Sequence, residues 1–205
     1  MRGVEIGADG VARCPWGLSA PEYEAYHDRE WGHPAGGERR VYEVLCLEGF
    51  QAGLSWLTIL RKRPAFRAAF ASFDPAVVAR FGERDIERLL GDAGIVRNRA
   101  KIAATITNAR ATIGLHDEGT SLAALVWSHE PTRRRRAPAT MGDLEASTPE
   151  SKALSSELRR RGFAFVGPTT VYATMQVLGL VNDHVRGCAF RATVDDERAR
   201  FTRPA

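Results

Sequence analysis

Lysine is nearly missing from this 205-residue chain, where it occurs only as Lys62, Lys101 and Lys152, so the basic side chains are almost all arginine. The 29 basic residues exceed the 25 acidic ones and leave a net charge of +4. That mild excess permits a polyanionic partner without demanding one. Cysteine is equally sparse: Cys14, Cys46 and Cys188 cannot all pair, which excludes a disulfide scaffold. No stretch near the N-terminus has the charged start and apolar run of a secretory leader, so the chain is expected to be cytoplasmic and reduced. Long apolar runs are absent as well. Phe163 to Val181 carries no charge, but Gly167, Pro168, Thr169, Thr170, Thr174, Gln176 and Gly179 interrupt it. It reads as a buried helix with a polar entrance, and no membrane partner is expected. Alternating strand patterns are scarce too, while 44% apolar residues are enough to build a core. Collagen-like and disordered classes are thereby excluded.

What the sequence has in abundance is helix punctuation. Ser19-Ala20-Pro21-Glu22 offers a cap, an early proline and a reciprocal glutamate, and predicts a helix carrying Tyr23, Tyr26 and His27. A second helix is predicted over about 38–48, where Val41, Val44, Leu45 and Glu48 recur at helical spacing. Ser55 can cap a helix through Trp56, Ile59 and Leu60, Pro64 is expected to start another, and Asp74-Pro75 repeats the cap-then-proline signal. Further helices are expected at about 83–90, 98–113, 121–127, 148–161 and 169–178. The expected fold class is all-α with short connections. Residues 12–190 should form the folded unit, either one body or two helical lobes around a cleft. Residues 191–205, with Asp195-Asp196-Glu197 and a terminal Arg-Pro-Ala, look like a frayed tail.

Several groups could carry chemistry. Cys14 and His27 near one end, with His184 and Cys188 near the other, make a Cys₂His₂ set that suits zinc. By spacing alone, buried unliganded cysteines and core histidines are the favoured reading of the four. Cys46, among Val44, Leu45 and Leu47, is a small core hydrophobe. Trp16, Tyr23, Tyr26, Trp31 and Trp56 crowd the first quarter of the chain; they could pack a core, or bind a flat or cationic ring through their faces. Glu48 ends an otherwise apolar helix face. Buried among aromatics it would need a donor or a cation. Two apolar turns containing glycine, 93–99 and 161–170, are either ordinary corners or sites where backbone N–H groups meet a phosphate. Arg133 to Arg136 reads as an exposed loop, solvated or touching a DNA backbone.

These stretches together resemble the bacterial DNA-3-methyladenine glycosylase I family of the helix-hairpin-helix superfamily, over about residues 12–190. The likeness rests on Arg13-Cys14-Pro15-Trp16, Tyr26-His27-Asp28, Glu30-Trp31-Gly32, Leu47-Glu48-Gly49, Gln51 to Trp56, Asp92 to Ile95, Arg161-Gly162-Phe163 with Phe165-Val166-Gly167, and Gly179 to Val185 with Gly187-Cys188. The resemblance implies a monofunctional DNA repair enzyme that flips 3-methyladenine out of alkylated double-stranded DNA and hydrolyses its N-glycosidic bond. It implies one structural Zn²⁺ on Cys14, His27, His184 and Cys188, and Glu48 as the pocket carboxylate. Trp16, Tyr23, Tyr26, Trp31 and Trp56 become the substrate-binding wall. Leu54 matches a residue that wedges into the duplex, and Gly167, Thr169 and Thr170 become DNA anchors.

Where superfamily relatives carry a catalytic aspartate or lysine, the best-matching position here is Asn182, with Asp183 as the competitor; no lysine lies nearby, so strand cleavage through a Schiff base is not expected. The protein is expected to act as a monomer. Two other classes compete: a zinc hydrolase, which would need an open metal position, and a non-enzymatic DNA-binding scaffold, which would need no buried carboxylate.

Overall fold

A computed structural model describes residues 3–133 and 136–205; of the arginine run, Arg134 and Arg135 lie outside the described residues. Two short antiparallel strands open the chain, β1 (Glu5–Ile6) and β2 (Ala12–Arg13), with Glu5 opposite Arg13. Among the described residues every α-helix follows them: α1 (Pro21–Arg29), α2 (Glu38–Gln51), α3 (Trp56–Ala69), α4 (Pro75–Val78), α5 (Glu83–Gly91), α6 (Arg99–Asp117), α7 (Leu122–Trp127), α8 (Pro149–Arg160), α9 (Pro168–Val177) and α10 (Phe190–Arg200). Among the described residues no helix is long and apolar enough to cross a membrane.

The core is built around α2. Every residue from Val41 through Phe50 is buried, so this helix has no solvent face over three turns and is packed on all sides, by α3, α6, α7 and α9. Aromatic rings fill the space beneath it. Phe50 meets Phe66 at 4.6 Å between centroids, and Phe70 and Phe73 continue the stack to Tyr42. Cys46 is 3% exposed within this core. The one buried acid besides Glu48 on α2 is Glu43, which sits between Arg40 and Arg67.

Cap signals mark most helix starts correctly. The side chains of Ser55, Asp74, Asn98, Ser121 and Thr148 each accept from a first-turn N–H of the helix that follows. Three expectations need correction. Ser19 does not cap α1: its hydroxyl donates to the Trp16 carbonyl at 2.6 Å, and Ala20 holds the cap position. Pro64 does not begin a helix but lies inside α3. An interior proline typically costs about 3 kcal/mol, yet Ile59 and Phe66 are buried on either side of it, and their shared burial carries the helix through.

The chain end is not frayed. Residues 190–200 form α10, which buries Val194; Arg198 bonds the Leu180 carbonyl and Glu130, and Phe201 lies 4.6 Å from Trp127. Of the acidic triplet, Asp195 accepts from Asn182 and Glu197 meets His33, while Asp196 is exposed.

Candidate active site and metal centre

The two chain ends meet first. Cys14 leaves β2, His27 sits in the last turn of α1, and His184 and Cys188 lie on the loop between α9 and α10. Their four ligand atoms fall within 4.8 Å of one another, and all four residues are buried. Cys14 Sγ is 3.7 Å from His184 Nδ1, Cys188 Sγ 3.4 Å from the same nitrogen, and Cys188 Sγ 3.7 Å from His27 Nε2. Bonds of about 2.0–2.3 Å to a tetrahedral metal give ligand separations of about 3.3–3.8 Å, so the set fits such an ion.

The outer atoms of the two imidazoles support the same reading. His27 Nδ1 lies 2.8 Å from Asp28 Oδ1, and His184 Nε2 lies 3.2 Å from the Trp31 carbonyl. Each ring thereby spends one nitrogen on an acceptor and presents the other to its neighbours as a lone pair. Asp28 is in turn gripped by Arg13, which is 3% exposed and also bonds Asp9. The two carboxylates raise the guanidinium's proton affinity further, and the guanidinium in turn holds Asp9 well below the usual carboxylate range.

Asn182 is absorbed into this framework. Its amide donates to the Arg191 carbonyl and Asp195, and its oxygen accepts from the His184 N–H. Asp183 turns toward Tyr172 and Gln176, whose donors both meet Oδ2, at 2.5 and 2.8 Å. Neither Asn182 nor Asp183 lines the cavity described next.

One layer away from the metal cluster, a cavity of about 260 Å³ is lined by all five aromatics that the sequence singled out, together with Glu48. Trp16 stands edge-on to Trp31 at 5.1 Å and to Tyr23 at 5.5 Å, while Tyr26 and Trp56 meet at 5.5 Å. The same ring of Trp16 touches His27 at 5.2 Å, so the Cys/His cluster and the cavity share a wall. Glu48 is 5% exposed, and no hydrogen bond or ion pair reaches its carboxyl among the described residues. Burial alone pushes its pKa up to about 8. The Tyr26 hydroxyl and the Trp56 Nε1–H are likewise buried without partners. Burial also holds the Tyr26 hydroxyl firmly protonated.

Three adjacent polar groups left unsatisfied in an aromatic-walled space constitute a demand for a ligand with acceptors, donors or positive charge. Wider clefts of about 530 and 440 Å³ lie elsewhere, but there the half-buried acid Glu130 is ion-paired with Arg198 and Arg203, and Asp183 with its two donors is already satisfied.

Gln51, Met141, Leu144, Ala173, Gln176 and Val177 complete the lining. Sequence reasoning assigned none of them a role. Gln51 and Gln176 lie within stretches it did single out, but a lone amide carries no spacing signal. Leu54, 43% exposed, projects from the loop after Gly53, whose φ of +80° suits glycine. Gly167 is the N-cap of α9, where no side chain caps the first turn, and Thr169 is exposed there. In the other turn the Gly94 N–H is already spent on Asp92 Oδ1 at 2.7 Å.

A profile of the methyladenine glycosylase family matches residues 16–192. DNA-3-methyladenine glycosylase 1 of Escherichia coli (strain K12) is 49% identical over 181 residues, which cover 87% of this chain and 96% of that one. Among solved structures, a 3-methyladenine DNA glycosylase I matches with a TM-score of 0.83 at 48% identity, over 86% of this chain and 98% of the other. The 3-methyladenine DNA glycosylase I of Staphylococcus aureus, solved to show how 3-methyladenine is recognised, matches with a TM-score of 0.83 at 32% identity, over 87% and 96% of the two chains. With both the fold and nearly half of the residues held in common over most of its length, this chain belongs to the methyladenine glycosylase family.

Proposed function

We propose that this enzyme excises 3-methyladenine from alkylated double-stranded DNA: the damaged nucleotide is flipped into the aromatic cavity and its N-glycosidic bond is hydrolysed, leaving an abasic site in an intact strand. The observation that carries this reading is the unpartnered carboxyl of Glu48, buried among Trp16, Tyr26, Trp31 and Trp56. Methylation at N3 makes the adenine of the nucleotide cationic. Ring faces attract such a base, and its arrival favours the ionised form of Glu48, which can then accept from the exocyclic amine. Neutral adenine gains less from the same surroundings, so the cavity selects for damage.

The positive charge also supplies the chemistry. When the bond between the sugar and the base breaks, its electron pair neutralises the cationic ring, so no proton has to be delivered to the leaving group. Water then adds to the oxocarbenium-like sugar carbon and releases a proton to solvent. No lysine lines the cavity among the described residues, and Lys101 and Lys62 both donate to backbone carbonyls. This supports a monofunctional enzyme.

The Cys₂His₂ set suits a structural zinc, because thiolate and imidazole match the ion's softness and four protein donors leave no position for a substrate water. The α8–α9 turn serves as the DNA-binding hairpin, with the uncapped N–H groups around Gly167, Thr169 and Thr170 facing a phosphate, and Leu54 wedging into the duplex from the α2–α3 loop. The test is release of 3-methyladenine from methylated duplex, followed by chromatography, with strand integrity read on a denaturing gel. Release with intact strands is expected. No release by metal-loaded protein, or nicking in step with release, would sink the reading.

A further inference from the structure

Among the described residues only Ile6, Leu54 and Phe165 are large apolar side chains standing exposed; Leu54 is the proposed wedge, Ile6 lies on β1, and Phe165, at 40%, stands against Gly49, next to the acid of the cavity. Its backbone is also out of the ordinary. Phe165 has φ +56°, a region that bulky side chains avoid because Cβ crowds the backbone. The turn leaves it no choice. Buried Asn108 clamps the residue before it, accepting from the Ala164 N–H at 2.7 Å and donating to its carbonyl at 3.1 Å. Buried Ser155 holds the residue after it, donating to the Val166 carbonyl at 2.6 Å. Phe163 and Val166 are sunk in the core on either side. The two flanks are therefore fixed, and Phe165 alone is turned outward.

Its position is equally specific. Phe165 packs over Gly49, where an added Cβ would come within 3.3 Å of the Phe165 Cβ, and Gly49 follows Glu48 on the last turns of α2. It lines a small crevice with Phe50 and Lys101. Lys101 donates to the carbonyls of Phe50 and Ala52, at 2.8 and 2.5 Å, and so secures the segment that leads to Leu54. Two residues beyond Phe165, Gly167 opens α9. One exposed ring thus stands between the uncapped end of α9 and the end of the helix that carries the pocket acid.

We propose that Phe165 is a second apolar DNA-contact residue, pressed against the sugar and base surface of the duplex beside the phosphate met by α9. An aromatic ring can stack or pack on any nucleotide regardless of sequence, which suits a protein that must engage damage wherever it occurs. A strained turn, tolerated because it presents the ring, accounts for both the exposure and the positive φ. The inference rests on the proposed action on DNA.

The test compares Phe165→Ala, Phe165→Gly and Phe165→Leu in the metal-loaded protein. Affinity for a duplex containing an abasic-site analogue is read by fluorescence anisotropy at fixed salt, affinity for free 3-methyladenine by calorimetry, and Tm by scanning calorimetry. Loss of the ring should weaken duplex binding about tenfold in the Ala and Gly variants and less in Leu, with affinity for the free base unchanged. Phe165→Gly should melt above Phe165→Ala, since glycine alone accepts the positive φ without strain. Unchanged duplex affinity in Phe165→Ala would overturn the contact, and Phe165→Ala melting at or above Phe165→Gly would overturn the strained presentation. If unmodified protein neither binds nor releases 3-methyladenine, the excision reading fails, while the duplex comparison still decides the place of Phe165.

Discussion

The Cys/His cluster and the aromatic cavity share Trp16 and Trp31, yet they treat their polar atoms in opposite ways. Around the cluster every one is occupied: His27 by Asp28, His184 by the Trp31 carbonyl, Asp28 by Arg13, and Cys14 Sγ by the Val185 N–H at 3.4 Å. In the cavity the Tyr26 hydroxyl and the Trp56 N–H have no partner among the described residues, and burial is the sole influence on the Glu48 carboxyl. The contrast recurs within α2, where buried Glu43 is held by two arginines and buried Glu48, five residues on, by nothing. A buried polar group that is satisfied belongs to the architecture; one left without a protein partner costs stability that a bound ligand can recover.

The largest effect expected from breaking this contrast is on the saturated side. Cys188→Ala removes one of the four donors, and stability should fall by roughly 5 kcal/mol or more, because metal binding to such a site is coupled to folding. The metal, measured by mass spectrometry on the purified protein, should be lost together with a large drop in Tm. A variant that melts like the parent while lacking metal would show that the ends are held together without it.

Glu48→Gln should act in two directions. Affinity for the cationic methylated nucleotide should fall by roughly 1.5–3 kcal/mol, the range for a hydrogen bond to a charged group. Stability should rise. Below about pH 4.5 the carboxyl is protonated in both folded and unfolded chains and has no effect on their balance. From there up to pH 8 the unfolded chain gives up the proton while the folded chain keeps it, so stability falls with pH across that window and levels off above it. At neutral pH the burden is about 3 kcal/mol, which corresponds to several degrees in Tm. Melting curves of the parent and Glu48→Gln should therefore diverge between pH 5 and pH 8, with the variant higher. Parallel curves would mean that Glu48 is solvated or paired in solution.

A smaller effect should follow from Asp28→Asn, which loosens the orientation of His27 without removing a ligand. Metal affinity in a competition titration should fall about 10- to 100-fold, while affinity for free 3-methyladenine stays close to the parent value. The smallest belongs to Tyr26→Phe. Removing an unpartnered hydroxyl should leave Tm unchanged or raise it by a degree or two, while binding of 3-methyladenine weakens by about 1 kcal/mol. A clear loss of stability would place a hidden partner on that hydroxyl and weaken the comparison between the two regions.

Much of the helical layout was legible because caps and prolines act locally. Ser55, Asp74, Asn98, Ser121 and Thr148 each bond an N–H within three residues, so the sequence suffices to read them. Ser19 failed because a competing carbonyl, that of Trp16, lay closer to its hydroxyl. Pro64 failed because burial on both sides of it outweighs the proline penalty. The end of the chain misled for a similar reason. Its charges look solvated in one dimension, but Arg198 and Arg203 converge on Glu130, far back in the sequence.

The residue types alone were enough to nominate the soft ligand set, the aromatic cluster and the lone acid, since thiolate, imidazole, ring faces and carboxylate have fixed chemical preferences. That Glu48 is unpaired whereas Glu43 is paired, that Asp183 is diverted to Tyr172 and Gln176, and that Phe165 is turned outward were decided only by the tertiary structure. Each depends on partners dozens of residues away, or on a backbone constrained from both sides by buried hydrogen bonds, and neither the periodicity nor the spacing of a sequence encodes such partners.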